Sequence, residues 1–102
     1  MSKEKHTRLL TVEELERIAS RFKVLGEPMR LRILQTVCKE PRSVNEIVAT
    51  VGSTQAKISK HLALLTAGGV LSRRRNGQCV HYAVKDQLAV KLCELVHAQL
   101  AG

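Results

Sequence analysis

Aromatic side chains are almost absent from this chain: Phe22 and Tyr82 stand alone, and there is no tryptophan. Proteins that grip single-stranded nucleic acid need several exposed rings to stack bases on, so that class is set aside. A core without rings also argues against an aromatic-rich β-sandwich and for packed helices of Leu, Ile, Val and Ala. No apolar run reaches the roughly 18 residues of a membrane span, and the start leads to no signal-peptide core, so a cytoplasmic protein is expected. The three cysteines, Cys38, Cys79 and Cys93, are an odd set without CxxC spacing. They suggest neither a disulfide framework nor a zinc knuckle. Acidic residues are scarce as well. Asp and Glu total 9 against 17 Lys and Arg, a formal net charge of +8 on 102 residues. So large an excess on one small domain points to a polyanionic partner, nucleic acid first.

What is present is regular helical periodicity broken by a single change of pattern. Residues 1–10 are polar and basic and are read as a flexible N-terminal arm, followed by one domain over 11–100. Thr11 is placed to cap a first helix that repeats Leu15, Ile18, Phe22 and Leu25 and stops at Gly26. Pro28 opens a second helix, with Leu31, Leu34 and Cys38 on one face and Ile33 and Val37 widening it. Ser43 caps a short third helix, with Glu46 at the reciprocal capping-box position. Val51-Gly-Ser53 is a tight turn, and Thr54 caps a fourth helix with the stripe Ile58, Leu62 and Leu65. After Gly68 and Gly69 the period changes to two. Two strand-like runs flank Asn76-Gly77, the strongest short hairpin signal. From about Asp86, read as an N-cap, a fifth helix carries Leu88, Leu92, Leu95 and Val96 on one face. The expected fold is mainly α: a winged helix-turn-helix of five helices and a two-stranded β-hairpin wing.

The polar face of the fourth helix is where function concentrates. With its apolar stripe turned inward, Thr54, Gln55, Lys57, Ser59, Lys60 and His61 include the groups free to face outward. Gln and Lys at the start of such a helix reach base edges, and Ser and Lys hold phosphates. Ser43, at the start of the third helix, joins this set. Arg73, Arg74 and Arg75 beside Asn76 and Gly77 make a basic wing suited to phosphates or an adjacent minor groove. The bland alternatives are a solvated helix face, or a winged-helix module that binds protein or RNA. An enzyme is not expected, because no acid–base pair, nucleophile elbow or phosphate loop is present.

The stretch RFKVLGEPMRLRIL over residues 21–34 resembles the ALxDPTRLRIL opening of ArsR/SmtB-family repressors. SVNEI at 43–47 is similar to their SVGEL, TQAKISKHL at 54–62 to SQxxVSxHL, and residues 70–82 to GLVxxRRxGxxVYY. The likeness spans roughly residues 12–100. It implies a homodimer, joined through its first and last helices, that binds a pseudopalindromic operator in double-stranded DNA and leaves it when an inducer arrives.

The inducer is less legible. Arsenic-sensing relatives carry ELCVCDL on the third helix, where this chain has no cysteine. The DxHx10HxxH/E pattern of zinc and nickel sensors retains one ligand of four, Asp86. Cys93 and His97 stand one helical turn apart and are candidate ligands for a soft metal or metalloid ion, two short of a closed tetrahedral site. The resemblance also implies a redox or persulfide sensor built from Cys38 and Cys93. Against it, Cys38 shares an apolar face with Leu31 and Leu34 and reads as a small core residue. Cys93, on the flank of its stripe, reads as the more accessible thiol, and Cys79 as a strand-packing residue.

Overall fold

The computed structural model describes residues 9–102. The arm expected over 1–10 therefore lies outside the described residues, apart from Leu9 and Leu10, which are exposed and irregular. The chain then runs through α1 (Val12–Leu25), α2 (Pro28–Val37), β1 (Arg42–Ser43), α3 (Val44–Val51) and α4 (Gln55–Ala67). It continues through β2 (Leu71–Asn76), β3 (Cys79–Val84) and α5 (Gln87–Ala101).

Side-chain caps start four of the five helices where the sequence places them. Thr11 and Ser43 both form complete capping boxes, with Glu14 and Glu46. The Thr54 hydroxyl accepts the Lys57 N–H at 3.2 Å, and Asp86 accepts the Leu88 N–H at 3.0 Å. Glu27 caps α2 ahead of Pro28, accepting from the backbone of Met29 and Arg30. Gly52 ends α3 in the left-handed region, φ 82°, which reverses the chain without a Cβ clash and delivers it to the cap of α4.

The core forms where α2, α3 and α4 meet the sheet. Ile33, Leu34 and Val37 of α2 face Ile47 and Val51 of α3 and Ile58, Leu62 and Leu65 of α4. Val70, Leu71 and Tyr82 join them from the base of the hairpin. The sheet has three strands, not two, in the order β1-β3-β2. The two residues of β1 pair antiparallel with β3, Arg42 opposite Tyr82 and Ser43 opposite His81. Two residues are too short to show alternation, which is why the sequence pattern passes over them.

The hairpin also turns one residue later than Asn76-Gly77 implies. Asn76 pairs with Cys79, so Gly77 and Gln78 form the turn, with Gly77 at φ 67°. Glycine at the first central position suits a type II′-like turn, and the strands' own twist selects it over the Asn-Gly alternative.

The terminal helices leave most of their apolar stripes uncovered. Of α1 only Leu25 is buried, and of α5 only Ala89. Phe22 is 58% exposed and Leu95 66%. The molecule is correspondingly elongated, with principal extents of 51 × 33 × 21 Å.

The α3 capping box carries a pH dependence. The Ser43 N–H donated to its carboxylate holds Glu46 below the ordinary glutamate value of 4.5, with burial opposing and Arg42 and His81 assisting. A depressed carboxylate adds stability above its ordinary value and loses it as pH falls through the lowered one. Glu46→Gln keeps an acceptor at the box but does not titrate. In thermal melts, wild type is expected to exceed this variant at about pH 6, and the gap is expected to shrink as the pH falls below 4.5.

Candidate nucleic-acid interface

The roll of α4 about its axis is set by three side chains at helical spacing. Ile58, Leu62 and Leu65 are each fully buried, so the opposite face has no freedom to turn inward. That face presents Lys57, Ser59 and Lys60, and Thr54 and Gln55 stand exposed at the N-terminal end of the helix. The first turn of α4 contains no acidic residue. The partial positive charge of its N-terminus is therefore unopposed and adds to Lys57, an arrangement that attracts phosphate.

His61 departs from the outward face expected for it. It is half-buried, and its Nδ1 is shielded from solvent without a hydrogen-bond partner. At 100° per residue it falls between the buried stripe and the open face. Ser43 is half-buried too, its hydroxyl accepting the Glu46 N–H at 3.2 Å. Its own proton remains free to donate.

The wing brings its arginines into the open beyond the core. Leu71 is buried at the root of β2, while Arg73, Arg74, Arg75, Asn76 and Gly77 are all exposed. Directly opposite residues share a face of the sheet, so Arg73 lies with Tyr82 and Arg75 with Val80. Arg74 lies with His81 on the other side. Tyr82, 9% exposed, is the ring that ties this basic ribbon to the core. Sequence reasoning missed Gln78, which stands exposed at the tip. A Gly-X reading of the turn would have found it.

The cysteines are distributed differently from the expectation. Cys38 is not a core residue: it is half-buried at the C-cap of α2, its thiol donating to the Gln35 carbonyl at 3.1 Å. The arc of α2 that faces the core is Ile33, Leu34 and Val37, and at 100° per residue Cys38 falls beside the exposed Leu31 on its flank. Cys93 is also half-buried, whereas Cys79 is exposed at the end of the wing instead of packing within the strand pair. Cys38, Cys93 and His97 open onto one groove of about 410 Å³, floored by Leu31, Leu34 and Val90. Burial pushes the Cys93 thiol above its ordinary range, and the neighbouring Glu94 carboxylate adds to this. Among the described residues no three His, Cys, Asp or Glu side chains are grouped to hold a metal ion. Cys93 and His97 thus remain a pair without the further ligands a closed site needs.

The model of the family "bacterial regulatory protein, arsR family" matches residues 27–73. Over 81 residues the chain is 36% identical to an HTH-type transcriptional regulator of Mycobacterium tuberculosis, an alignment covering 78% of this chain and 71% of that protein. The chain belongs to the arsR family. It is also 34% identical over 80 residues to the "Probable mercury resistance operon repressor" of Streptomyces lividans. That alignment takes in 78% of this chain but only 64% of the repressor's length. In fold it is similar to the solution structure of a homodimeric winged helix-turn-helix DNA-binding domain from Mycobacterium bovis. The TM-score is 0.79 at 24% identity, over 93% of this chain and 91% of that one.

The segment matched by the arsR-family model runs from the cap of α2 into β2, which is the helix-turn-helix and the root of the wing. It takes in the α2 wall of the groove, with Leu31, Leu34 and Cys38, and stops short of Cys79 and of the α5 wall with Cys93 and His97. These relatives are named as regulators of transcription, and the family is one of regulators, not of enzymes. Among the described residues no helix is long and apolar enough to cross a membrane.

Accessibility and thiol chemistry together rank the cysteines. Timed alkylation with iodoacetamide at neutral pH, followed by peptide mass spectrometry, is expected to label Cys79 first and Cys93 last. The Cys93 rate is expected to rise steeply as the pH is raised, since the thiolate is the nucleophile.

Proposed function

We propose that this arsR-family chain is a homodimeric transcriptional repressor that binds a pseudopalindromic operator through α4 and the β2–β3 wing. The observation that carries the reading is the exposed polar face of α4, held outward by its buried stripe beside three exposed arginines. In this reading Gln55 and Lys57 meet base edges. Thr54, Ser59, Lys60 and Ser43 hold phosphates, and Arg73–Gly77 tracks the backbone or adjacent minor groove. The half-buried His61 supports the helix from its edge.

Dimerisation is supported by the uncovered apolar faces of α1 and α5, where Phe22, Leu95, Val96 and Leu100 would otherwise stand in water. The Mycobacterium bovis domain of the same fold is described as homodimeric. Two-fold pairing sets two recognition helices about 34 Å apart, or a multiple of it, to match successive major grooves.

Release is assigned to the groove that Cys38 and Cys93 share. Oxidation or persulfidation of the two thiols between α2 and α5 is the reading favoured here. Capture of a soft ion by the same thiols is the second, motivated by the relative named for mercury resistance.

The test of binding is a mobility shift with the DNA upstream of the chain's own operon at about 100 mM salt; absence of salt-sensitive, sequence-preferring binding to duplex DNA would sink the proposal. Gln55→Ala and Lys57→Ala are expected to cost about 1–3 kcal/mol each and to relax base preference. Arg74→Ala and Arg75→Ala are expected to weaken all duplexes alike and to lower the salt slope by about one each. Cys38→Ser and Cys93→Ser are expected to stay on the operator when polysulfide, peroxide or Hg²⁺ displaces wild type. Mass spectrometry of the displaced wild type then separates a sulfur adduct or disulfide from a bound metal ion. If both variants are displaced like wild type, the groove is not the sensor.

A further inference from the structure

Asp86 uses its two carboxylate oxygens for two different purposes. Oδ1 caps α5 by accepting the Leu88 N–H at 3.0 Å. Oδ2 is paired with Nη1 of Arg21, which lies 65 residues earlier on α1. The backbone at this point is anchored to the reading head. The N–H groups of Lys85 and Asp86 both donate to the carbonyl of Val70, at 2.9 and 3.2 Å, and Val70 is fully buried where α4 gives way to β2.

The Arg21 side closes the same junction. A Cβ added at Gly69 would stand 3.4 Å from Nη2 of Arg21, so the guanidinium lies across the turn that ends α4. One turn further along α1, Val24 presses on Gly68 so closely that a Cβ there would meet its Cγ2 at 2.9 Å. The Val24 carbonyl in turn accepts Nε–H of Arg30 on α2 at 2.8 Å. The end of the recognition helix, the root of the wing, the start of α5 and the middle of α1 therefore converge on one ion pair.

We propose that the Arg21–Asp86 pair is a positioning contact that sets the reading head relative to the pairing helices α1 and α5, and so selects the half-site spacing a dimer accepts. This rests on the dimeric operator-binding reading above. Its side chains are 38% and 25% exposed, so solvent screens the pair and little of the overall stability depends on it. Orientation is another matter. Helix α5 fully buries only Ala89, with Val90, Leu92 and Cys93 half-buried against the core, and the Asp86 joint adds a polar anchor at its N-terminus. In a two-fold dimer, moving each head by about 1.7 Å changes the separation of the recognition helices by about 3.4 Å, one base-pair step.

The test uses Arg21→Met, which keeps an unbranched apolar stem, and Asp86→Asn, which keeps the cap acceptor; both remove the charge pair. Arg21→Lys keeps the charge. Fluorescein-labelled duplexes carry the half-sites that wild type selects from a random pool, at the selected spacing and with one base pair inserted or removed between them. Wild type is expected to lose about tenfold or more in affinity for either altered spacing. The Met and Asn variants, dimeric by light scattering and melting close to wild type, are expected to discriminate the three spacings by less than about threefold. Arg21→Lys is expected to recover most of the discrimination. Dimeric Met and Asn variants with wild-type spacing preference would overturn the positioning role, as would a loss of affinity equal at all three spacings. A wild type that selects no duplex at all would instead overturn the operator-binding reading.

Discussion

Burial of one stripe of α4 is the constraint on which the rest of the molecule depends. Ile58, Leu62 and Leu65 are fully enclosed by α2, α3 and the root of the sheet, each contributing about 1.5–3 kcal/mol by leaving water. That energy determines how the helix is rolled. A rotation that hid Lys57 or Lys60 would expose an isoleucine or leucine and desolvate a charge, two penalties of the same sign. The polar face of α4 is therefore presented outward by its core, before any partner is bound.

The wing follows from the same core by a different route. Val70 and Leu71 end the buried region, and Tyr82 on the middle strand closes it. Beyond these residues the ribbon has nothing to pack on, so successive arginines carry no desolvation cost and remain available to an anionic ligand. The short β1 stiffens the arrangement. By pairing Arg42 and Ser43 with β3 it joins the start of α3 to the wing, since Ser43 is at once the last strand residue and the cap of α3. The reading head is thus a single packed unit whose two exposed basic parts share one core.

The terminal helices stand in a different relation to that unit. Their apolar stripes are as regular as that of α4, yet within one chain they cover little and are covered by little. A stripe of fixed period reports that a face is to be buried without reporting against what. The chain meets this with a polar junction at Asp86 and Val70, and the apolar stripes of α1 and α5 stay exposed. The groove holding Cys38 and Cys93 opens between α2 and α5, where Val90 and Cys93 rest half-buried against the core.

Much of this was legible in the linear chain because it is local. Capping residues, a glycine at a left-handed position and an apolar stripe act over four or five neighbours, so Thr11, Ser43, Gly52, Thr54 and Asp86 occupy the roles their sequence context implies. The DNA-facing candidates on α4 and the wing follow by subtraction from the buried stripe. Other features needed the tertiary structure, because they depend on which distant segments meet. The strand register moved the turn from Asn76-Gly77 to Gly77-Gln78. The packing of α2 through Ile33, Leu34 and Val37 left Cys38 on the flank of the core, and the packing of α4 left His61 at the helix edge. A partner 65 residues away gave Asp86 a second role beside its cap. The winged helix-turn-helix expected at the outset is thus a property of the sequence, because short-range periodicity and charge specify it. The register of the wing, the edge position of His61 and the junction at Asp86 belong to the tertiary structure, because only contacts between distant segments decide them.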